Sequence, residues 1–252
     1  RLYRMENRRM LFGSEFKHAL ALVESGRFKE ASDICAKLAE MQPDNADLLY
    51  IQGVAFHGLN DSLNARDCFE RSLAINGANP QVLMFLGDLD VAAGNLNDAR
   101  KCFEQTLEIS PNEPAPLLNL CYVLQSLDKW DEAAALLRKK IAVHSASSEI
   151  HLAYGNCLFI CGKVSEAIDI FYKTIELSPN SISAHEGLSK SLIQRHKFHD
   201  AISVLLTSIR LDPGNPRTLS ALGHAHSSIF DYISAIKYYH QSIEIDPNES
   251  GV

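Results

Sequence analysis

Residues 80–113 read PQVLMFLGDLDVAAGNLNDARKCFEQTLEISPNE, and this pattern of small, large and proline positions recurs along the chain every 34 residues. The seven copies follow one another without a gap from Phe12 to Glu249. A fixed period of this length predicts a repeat protein, in which one short structural unit packs against the next. The predicted blocks are residues 12–45, 46–79, 80–113, 114–147, 148–181, 182–215 and 216–249.

Fixed positions within the blocks predict a pair of antiparallel helices. Position 20 is alanine in all seven blocks, from Ala31 to Ala235, and position 8 is small, as at Gly87. Small residues at these two positions let two helices approach closely where they cross. Large residues at position 24, such as Phe103, fill the space between neighbouring hairpins, and a proline near position 32, such as Pro111, ends the second helix. Between these positions the apolar residues recur every three or four residues, which is the helical period.

The residues between the two predicted helices of a block favour a sharp break. Asn60, Gly94, Asp128 and Gly162 stand at equivalent positions in blocks 2 to 5. Glycine, asparagine and aspartate adopt left-handed backbone more readily than other residues. The sequence therefore predicts a tight turn at this position of the hairpin.

Small residues at positions 8 and 20, an aromatic residue at 24 and proline at 32 resemble the signature of the tetratricopeptide repeat family. The resemblance covers residues 12–249. It implies an all-α, right-handed superhelical solenoid of antiparallel helix pairs, in which the first helix of each pair lines a concave groove. The sequence departs from the family pattern at Glu15 and His18 in block 1 and at Lys140 and Ser145 in block 4, where we expect the second helix to end irregularly.

Two short segments flank the predicted array. Residues 1–11 form a basic N-terminal extension or a further helical segment, and residues 250–252 form a short tail. A solenoid exposes apolar surface at an end that has no capping element. The last block carries Ile236 and Ile243, and no capping helix follows it. We therefore expect the tail to be truncated, with the natural chain continuing beyond Val252, or another chain to cover this end.

Composition narrows the classes of function. The net charge of −7 argues against a nucleic-acid backbone as partner, because that role needs a basic surface. No segment has the length and hydropathy of a membrane span. The six cysteines, none in a CxxC pair, fit reduced core thiols of a cytoplasmic or nuclear protein. Nucleotide-binding, hydrolase and zinc-protease motifs are absent, so the sequence predicts no enzyme activity and no cofactor.

Polar or metal-binding side chains stand at a few positions that are usually apolar. Cys157 and Cys161 lie one helical turn apart and could share a metal ion, but no third ligand is evident, so we interpret them as core residues. Asp90 is interpreted as a member of a hydrogen bond or ion pair, with a ligand contact shared with Asp88 as the alternative. His226 is interpreted as a semi-buried histidine.

The family resemblance places ligand contacts at positions 2, 5, 6, 9, 12 and 13 of each block. Over the first five blocks these positions are mainly apolar, which predicts a groove for a partner segment with apolar anchors. Blocks 6 and 7 are polar there, with Glu186, Lys190, Arg217, Ser220 and His224. The predicted groove residues are Phe16, Leu20, Tyr50, Ile51, Val54, Met84, Phe85, Asp88, Leu118, Asn119, Tyr122, Leu152 and Asn156.

The sequence therefore predicts a non-enzymatic scaffold that binds a protein or peptide. Two polar recognition schemes of the family, a lysine–asparagine–arginine carboxylate clamp and an asparagine ladder at position 6, are not present, since only Asn119 fits the ladder. Several alternatives stay open. One alternative is that part of the apolar strip packs within the hairpins, and another is that the chain self-associates through the groove or its uncapped end. A third is that the array is the substrate-recruiting region of a larger glycosyltransferase or sulfotransferase. A fourth is a subunit of an assembly such as the anaphase-promoting complex, because residues 220–240 resemble a repeat of that complex.

Overall fold

The computed structural model describes the backbone of residues 2–143 and 145–247, and the side chains within these ranges from Phe12 onward. This part of the chain contains fourteen α-helices and no strand, so the all-α prediction is confirmed. Consecutive helices form antiparallel pairs joined by short turns, and one pair lies in each 34-residue block. None of the helices in the described ranges is both long and apolar enough to cross a membrane.

The chain divides into two compact units, Arg1–Val123 and Leu124–Val252, with the division inside the seventh helix. The first seven helices are α1 (Leu2–Glu24), α2 (Phe28–Ala39), α3 (Ala46–Gly58), α4 (Ser62–Asn76), α5 (Pro80–Ala92), α6 (Leu96–Ile109) and α7 (Pro114–Ser126). The other seven are α8 (Trp130–Lys140), α9 (Ser148–Ile160), α10 (Val164–Leu177), α11 (Ile182–Gln194), α12 (Phe198–Leu211), α13 (Pro216–Ser228) and α14 (Tyr232–Ile245). Because α1 begins at Leu2, the extension before the first block is helical from that residue.

A single left-handed residue separates the two helices of every block. Positive φ values occur at position 15 of all seven blocks, at Gly26, Asn60, Gly94, Asp128, Gly162, His196 and Phe230. The four turn residues predicted from the sequence are among them. Phe230 is an exception to the usual turn chemistry, because a residue with a bulky side chain is strained in this conformation.

Polar side chains cap the first helices of most pairs. Asn45, Asn79, Ser147, Ser181 and Asn215 each precede a first helix and accept a hydrogen bond from a backbone N–H of its first turn. Such caps satisfy backbone donors that have no partner within the helix. They fix where each first helix begins, and with it the rotation of the helix face that carries the predicted groove positions.

The hairpin cores follow the predicted positions. The alanines at position 20 are buried, and Phe69, Phe103 and Phe171 at position 24 have no exposed surface.

In the second unit, α8 ends at Lys140 and is the shortest helix of the described chain, with 11 residues. On α14, Ile236 and Ile243 are 68% and 43% exposed.

Candidate partner-binding groove

An aromatic cluster joins the first helices of blocks 2 and 3. The ring of Phe85 on α5 lies 6.2 Å from that of Tyr50 and 5.3 Å from that of His57, both on α3. Phe85 also stacks on the buried ring of Phe69 at 5.1 Å. Partial burial raises the pKa of the Tyr50 hydroxyl. These contacts place Tyr50 and Phe85, two of the predicted groove residues, in one half-buried aromatic cluster against the core.

A polar pair extends this surface from α5 to α7. Asn119 Nδ2 donates a hydrogen bond of 3.0 Å to Asp88 Oδ1. Asp88 is exposed, yet loss of water around its carboxylate raises its pKa, an effect that the nearby His57 opposes. The surroundings of the Asp88 carboxylate therefore disfavour its charged form. Asp88 and Asn119 were both predicted as groove residues, and the structure brings them together.

The other predicted groove residues of the first unit differ in accessibility. Tyr122 on α7 is 57% exposed and Leu20 on α1 is 38% exposed. Half-buried side chains follow at Phe16, Val54, Met84 and Leu118. Tyr122 lies three residues after Asn119 and therefore on the same helix face.

Ile51 requires a correction. It is only 3% exposed and packs in a core cluster with Cys35, Leu38 and Leu48. Its side chain thus stabilises the contact between blocks 1 and 2 and offers no surface to a ligand. Ile51 therefore packs between blocks 1 and 2, and not between the two helices of one hairpin, which was the alternative for the apolar strip.

The second unit places Leu152 and Asn156 on α9, where Leu152 is half-buried and Asn156 is exposed. It also forms a pocket of about 440 Å³ between α11 and α13. This pocket is lined by Glu186, Lys190, Leu205, Arg217, Thr218 and His224, together with three small residues. The sequence marked blocks 6 and 7 as polar at the groove positions, but the predicted groove did not include these residues. The polar residues at positions 2, 5 and 9 of these two blocks were the sequence signal that could have identified the pocket.

The unusual polar residues have structural partners. Asp90 is 4% exposed and accepts a hydrogen bond of 2.7 Å from Arg66 Nη2, so it is the ion-pair device that was expected. His226 Nδ1 lies 3.0 Å from Asp231 Oδ2, and its ring stacks on Tyr238. These contacts agree with the interpretation of His226 as semi-buried.

Cys157 is fully buried, and its sulfur accepts a hydrogen bond of 3.3 Å from Gln125 Nε2. Cys161 is partly exposed. Within the ranges that the structure describes, no three histidine, cysteine, aspartate or glutamate side chains are arranged to hold a metal ion. The burial of Cys157 and its hydrogen bond with Gln125 fit a packing role for this cysteine.

Comparison with sequence families agrees with the helix-pair architecture. Two sequence models described as tetratricopeptide repeat match residues 16–82 and 216–249. The chain is a tetratricopeptide repeat protein. A third model, described as anaphase-promoting complex (cyclosome) subunit 3, matches residues 92–174 of this repeat protein, outside the block in which the sequence resembled that complex. No curated protein sequence matches significantly.

Solved structures with the same fold include other tetratricopeptide repeat proteins. The C-terminal part of one from Cytophaga hutchinsonii has a TM-score of 0.77 and 15% identity, covering 93% of this chain and 96% of that one. YrrB, described as having an unusual peptide-binding site, has a TM-score of 0.64 and 19% identity over 74% of this chain and 96% of that one. The Cut9–Hcn1 structure of the anaphase-promoting complex has a TM-score of 0.62 and 18% identity over 92% and 46%. At these identities the likeness shows the fold alone.

Proposed function

We propose that this tetratricopeptide repeat protein is a non-enzymatic scaffold that holds a segment of a partner protein on the first helices of its first unit. One observation carries the proposal. Tyr50 and His57 on α3 contact Phe85 on α5, and Asp88 on α5 pairs with Asn119 on α7, so a row of contacts links the first helices of three successive repeats. The row combines a half-buried apolar surface with a hydrogen-bond acceptor. That combination suits a peptide that has apolar anchors and a backbone or side-chain donor.

Tyr122 is the side chain best placed to gain from binding. Its ring is more than half exposed, and it lies one helical turn from Asn119. Tyrosine provides a large apolar area and a hydroxyl at a small cost in side-chain entropy, which explains its enrichment at binding hot spots. Burying this ring against a partner would contribute roughly 1.5–3 kcal/mol. The partner segment we expect is one with apolar anchors, consistent with YrrB being a peptide-binding relative in fold.

The test compares two exposed tyrosines. Tyr122 lies on a first helix, whereas Tyr172, 46% exposed, lies on α10, a second helix of the other unit. The full chain and its Tyr122→Ser and Tyr172→Ser variants are immobilised, and the proteins captured from an extract of the source cells are quantified by mass spectrometry. The proposal predicts that capture of specific partners falls at least tenfold for Tyr122→Ser and stays at the wild-type level for Tyr172→Ser. Equal capture by all three proteins would refute it.

A second candidate is a subunit of a multiprotein assembly. The match of residues 92–174 to the anaphase-promoting complex subunit model and the fold likeness to the Cut9–Hcn1 structure favour it. Gel filtration of the tagged protein at native concentration distinguishes the cases. An assembly subunit elutes with partner subunits at a mass far above 28.0 kDa, whereas self-association gives about twice that mass. The alternative of a substrate-recruiting region in a larger enzyme stays a prediction.

A further inference from the structure

A second pocket lies between the second helices of blocks 5 and 6. Its volume is about 340 Å³, and its lining residues come from α10 and α12 and from the first helix of block 6, α11. None of these lining residues stands at a predicted groove position of its block. The pocket is therefore separate from the partner surface proposed for the first unit.

All three helices contribute apolar side chains to this pocket. The ring of Tyr172 on α10 is 46% exposed, and Ile175, three residues later on the same helix face, is half-buried. Leu188 on α11 is fully buried, and Val204 on α12 is half-buried. A ligand that covers the exposed part of this lining gains the free energy of removing apolar surface from water.

The polar groups of the pocket are mainly hydrogen-bond acceptors. Asp200 is the one carboxylate among the described lining residues, which include no lysine or arginine, and no hydrogen bond or ion pair engages its side chain within the described ranges. Ser203 Oγ donates to the carbonyl oxygen of His199 at 3.1 Å, so its lone pairs stay available. His185 donates from Nδ1 to the carbonyl oxygen of Ser181 at 2.9 Å, which leaves Nε2 as an acceptor in the neutral ring. The pocket thus offers a ligand one negative charge and further acceptors.

Two cations close to the pocket along the chain have partners of their own. Lys173 Nζ on α10 donates to Glu176 Oε2 at 2.9 Å, and Arg210 Nη2 on α12 donates to Thr207 Oγ1 at 3.0 Å. Thr207 lines the pocket seven residues after Asp200, which corresponds to ~10 Å along the helix axis. Arg210 therefore acts at the opposite end of the pocket from the Asp200 carboxylate.

We propose that this pocket binds a small organic cation, in which an ammonium or guanidinium group is carried on a short apolar chain. The cationic group donates charge-assisted hydrogen bonds to the carboxylate of Asp200 and to Ser203 Oγ. The face of the Tyr172 ring attracts the same positive charge. The apolar chain of the ligand packs on Ile175 and Val204. The inference goes beyond the proposed function, because it gives the second unit a ligand that is not a protein.

Charge and volume define this class of ligand. Asp200 repels an anion, and the net charge of −7 of the whole chain adds to that repulsion and attracts cations. A water molecule takes up ~30 Å³ in the liquid, so the pocket has room for a ligand of roughly ten non-hydrogen atoms. An alkylguanidinium or alkylammonium ion with a chain of four or five carbon atoms has this size.

The binding test compares n-butylguanidinium with n-butylurea, which has nearly the same shape and no charge. Each compound is titrated into the isotope-labelled full chain and followed by two-dimensional NMR. Butylguanidinium should give saturable shifts of the amide signals of Val204 and Thr207, with a dissociation constant at least tenfold lower than that of butylurea. Equal affinity for the two compounds, shifts confined to residues outside the pocket, or no saturable shift would each overturn the inference.

A matched pair of variants locates the binding. Asp200→Asn keeps the shape of the side chain and removes its charge, so the dissociation constant of butylguanidinium should rise at least tenfold. The control Asp169→Asn removes the same charge from an exposed residue of α10 that does not line the pocket, and should change the dissociation constant less than twofold. Equal losses for the two variants would show that general electrostatics, and not the pocket, holds the cation.

Tyr172→Leu separates attraction to the positive charge from simple packing. Leucine keeps an apolar side chain and removes the aromatic face, so the affinity for butylguanidinium should fall at least threefold while the affinity for butylurea stays the same. Equal losses for both compounds, or no loss for butylguanidinium, would contradict the role given to the ring. The melting temperature of the variant, expected to be unchanged at this exposed position, shows that the fold is intact. These measurements do not involve Tyr122, so the pocket and the partner surface of the first unit can each fail alone.

Discussion

The backbone of Gly87 on α5 lies against the ring of Phe103 on α6, so closely that a Cβ atom on Gly87 would be 2.5 Å from Cε1 of the ring. The same pairing of position 8 with position 24 recurs where Gly53 meets Phe69 and Gly155 meets Phe171. Where position 8 is larger, position 24 is smaller, as in the pairs Ala19–Cys35 and Ser189–Leu205. The two positions thus share one limited volume in these hairpins.

Gly87→Ala should destabilise the protein by about 1–2 kcal/mol. The added methyl group overpacks the hairpin, which typically costs ~1–3 kcal/mol, and the better helix propensity of alanine offsets about 0.5–1 kcal/mol. Adding Phe103→Leu should recover part of the loss, because block 6 has leucine at position 24 together with serine at position 8. Thermal unfolding measures the effect.

Gly13→Ala is the control for this substitution. Gly13 is also helical, but a Cβ atom there would meet no atom within 4 Å. We expect this change to leave stability unchanged or raise it by up to about 1 kcal/mol. Similar effects of the two alanines would mean that the volume shared by Gly87 and Phe103 does not limit packing.

The hairpin architecture was predictable because its positions depend on local chemistry that repeats. Alanine at position 20 and proline near position 32 act within a single block, so seven copies reinforce one interpretation. The exposure of the side chains at the groove positions was less predictable, because it depends on packing between blocks. Ile51 and Tyr122 occupy equivalent helix faces, yet Ile51 is buried by blocks 1 and 2 and Tyr122 is more than half exposed. The turn at Phe230 was also missed, since no local rule places phenylalanine in left-handed backbone.

Arg66→Met should destabilise the protein by about 2–3 kcal/mol, because it leaves the carboxylate of Asp90 buried without its partner. Fully buried pairs cost ~3–5 kcal/mol when broken, and the partial exposure of Arg66 reduces this. Adding Asp90→Leu should restore most of the stability. The control Arg71→Met breaks the exposed pair with Asp67, and should cost below about 0.5 kcal/mol. Urea denaturation measures these changes in the free energy of unfolding, and hydrogen exchange locates them in α4 and α5. No recovery of stability when Asp90→Leu is added would contradict this explanation.

Cys35 and Cys68 should resist alkylation in the folded protein. Burial raises the pKa of Cys35 to about 12 and that of Cys68 to about 11. Since the thiolate is the nucleophile, both should react with iodoacetamide at pH 8 more than ~100-fold more slowly than in the urea-unfolded chain. Mass spectrometry of the alkylated peptides measures the ratio. Rapid labelling of the native protein at either site would contradict the burial described here.

Asp88→Asn should stabilise the protein at neutral pH and have no effect in acid. Desolvation raises the pKa of Asp88 in the folded state, so the charged carboxylate lowers the stability of the fold. This loss of stability is absent below the unfolded-state pKa and appears as pH rises through the folded-state pKa. The amide of asparagine carries no charge, and its oxygen can still accept from Asn119. As Asp88 is exposed, the gain stays below about 1 kcal/mol. A gain of equal size at pH 3 and pH 7 would exclude the raised pKa as its source.

Photo-crosslinking at position 122 tests the scaffold claim most directly. A benzoylphenylalanine is placed at Tyr122 and, in a separate protein, at Tyr172, and both are irradiated in the source cells. The account predicts that position 122 crosslinks to one extended segment of a partner, identified by mass spectrometry as containing apolar residues, and that position 172 does not. No protein crosslink from position 122, or the same crosslinked proteins from both positions, would contradict it.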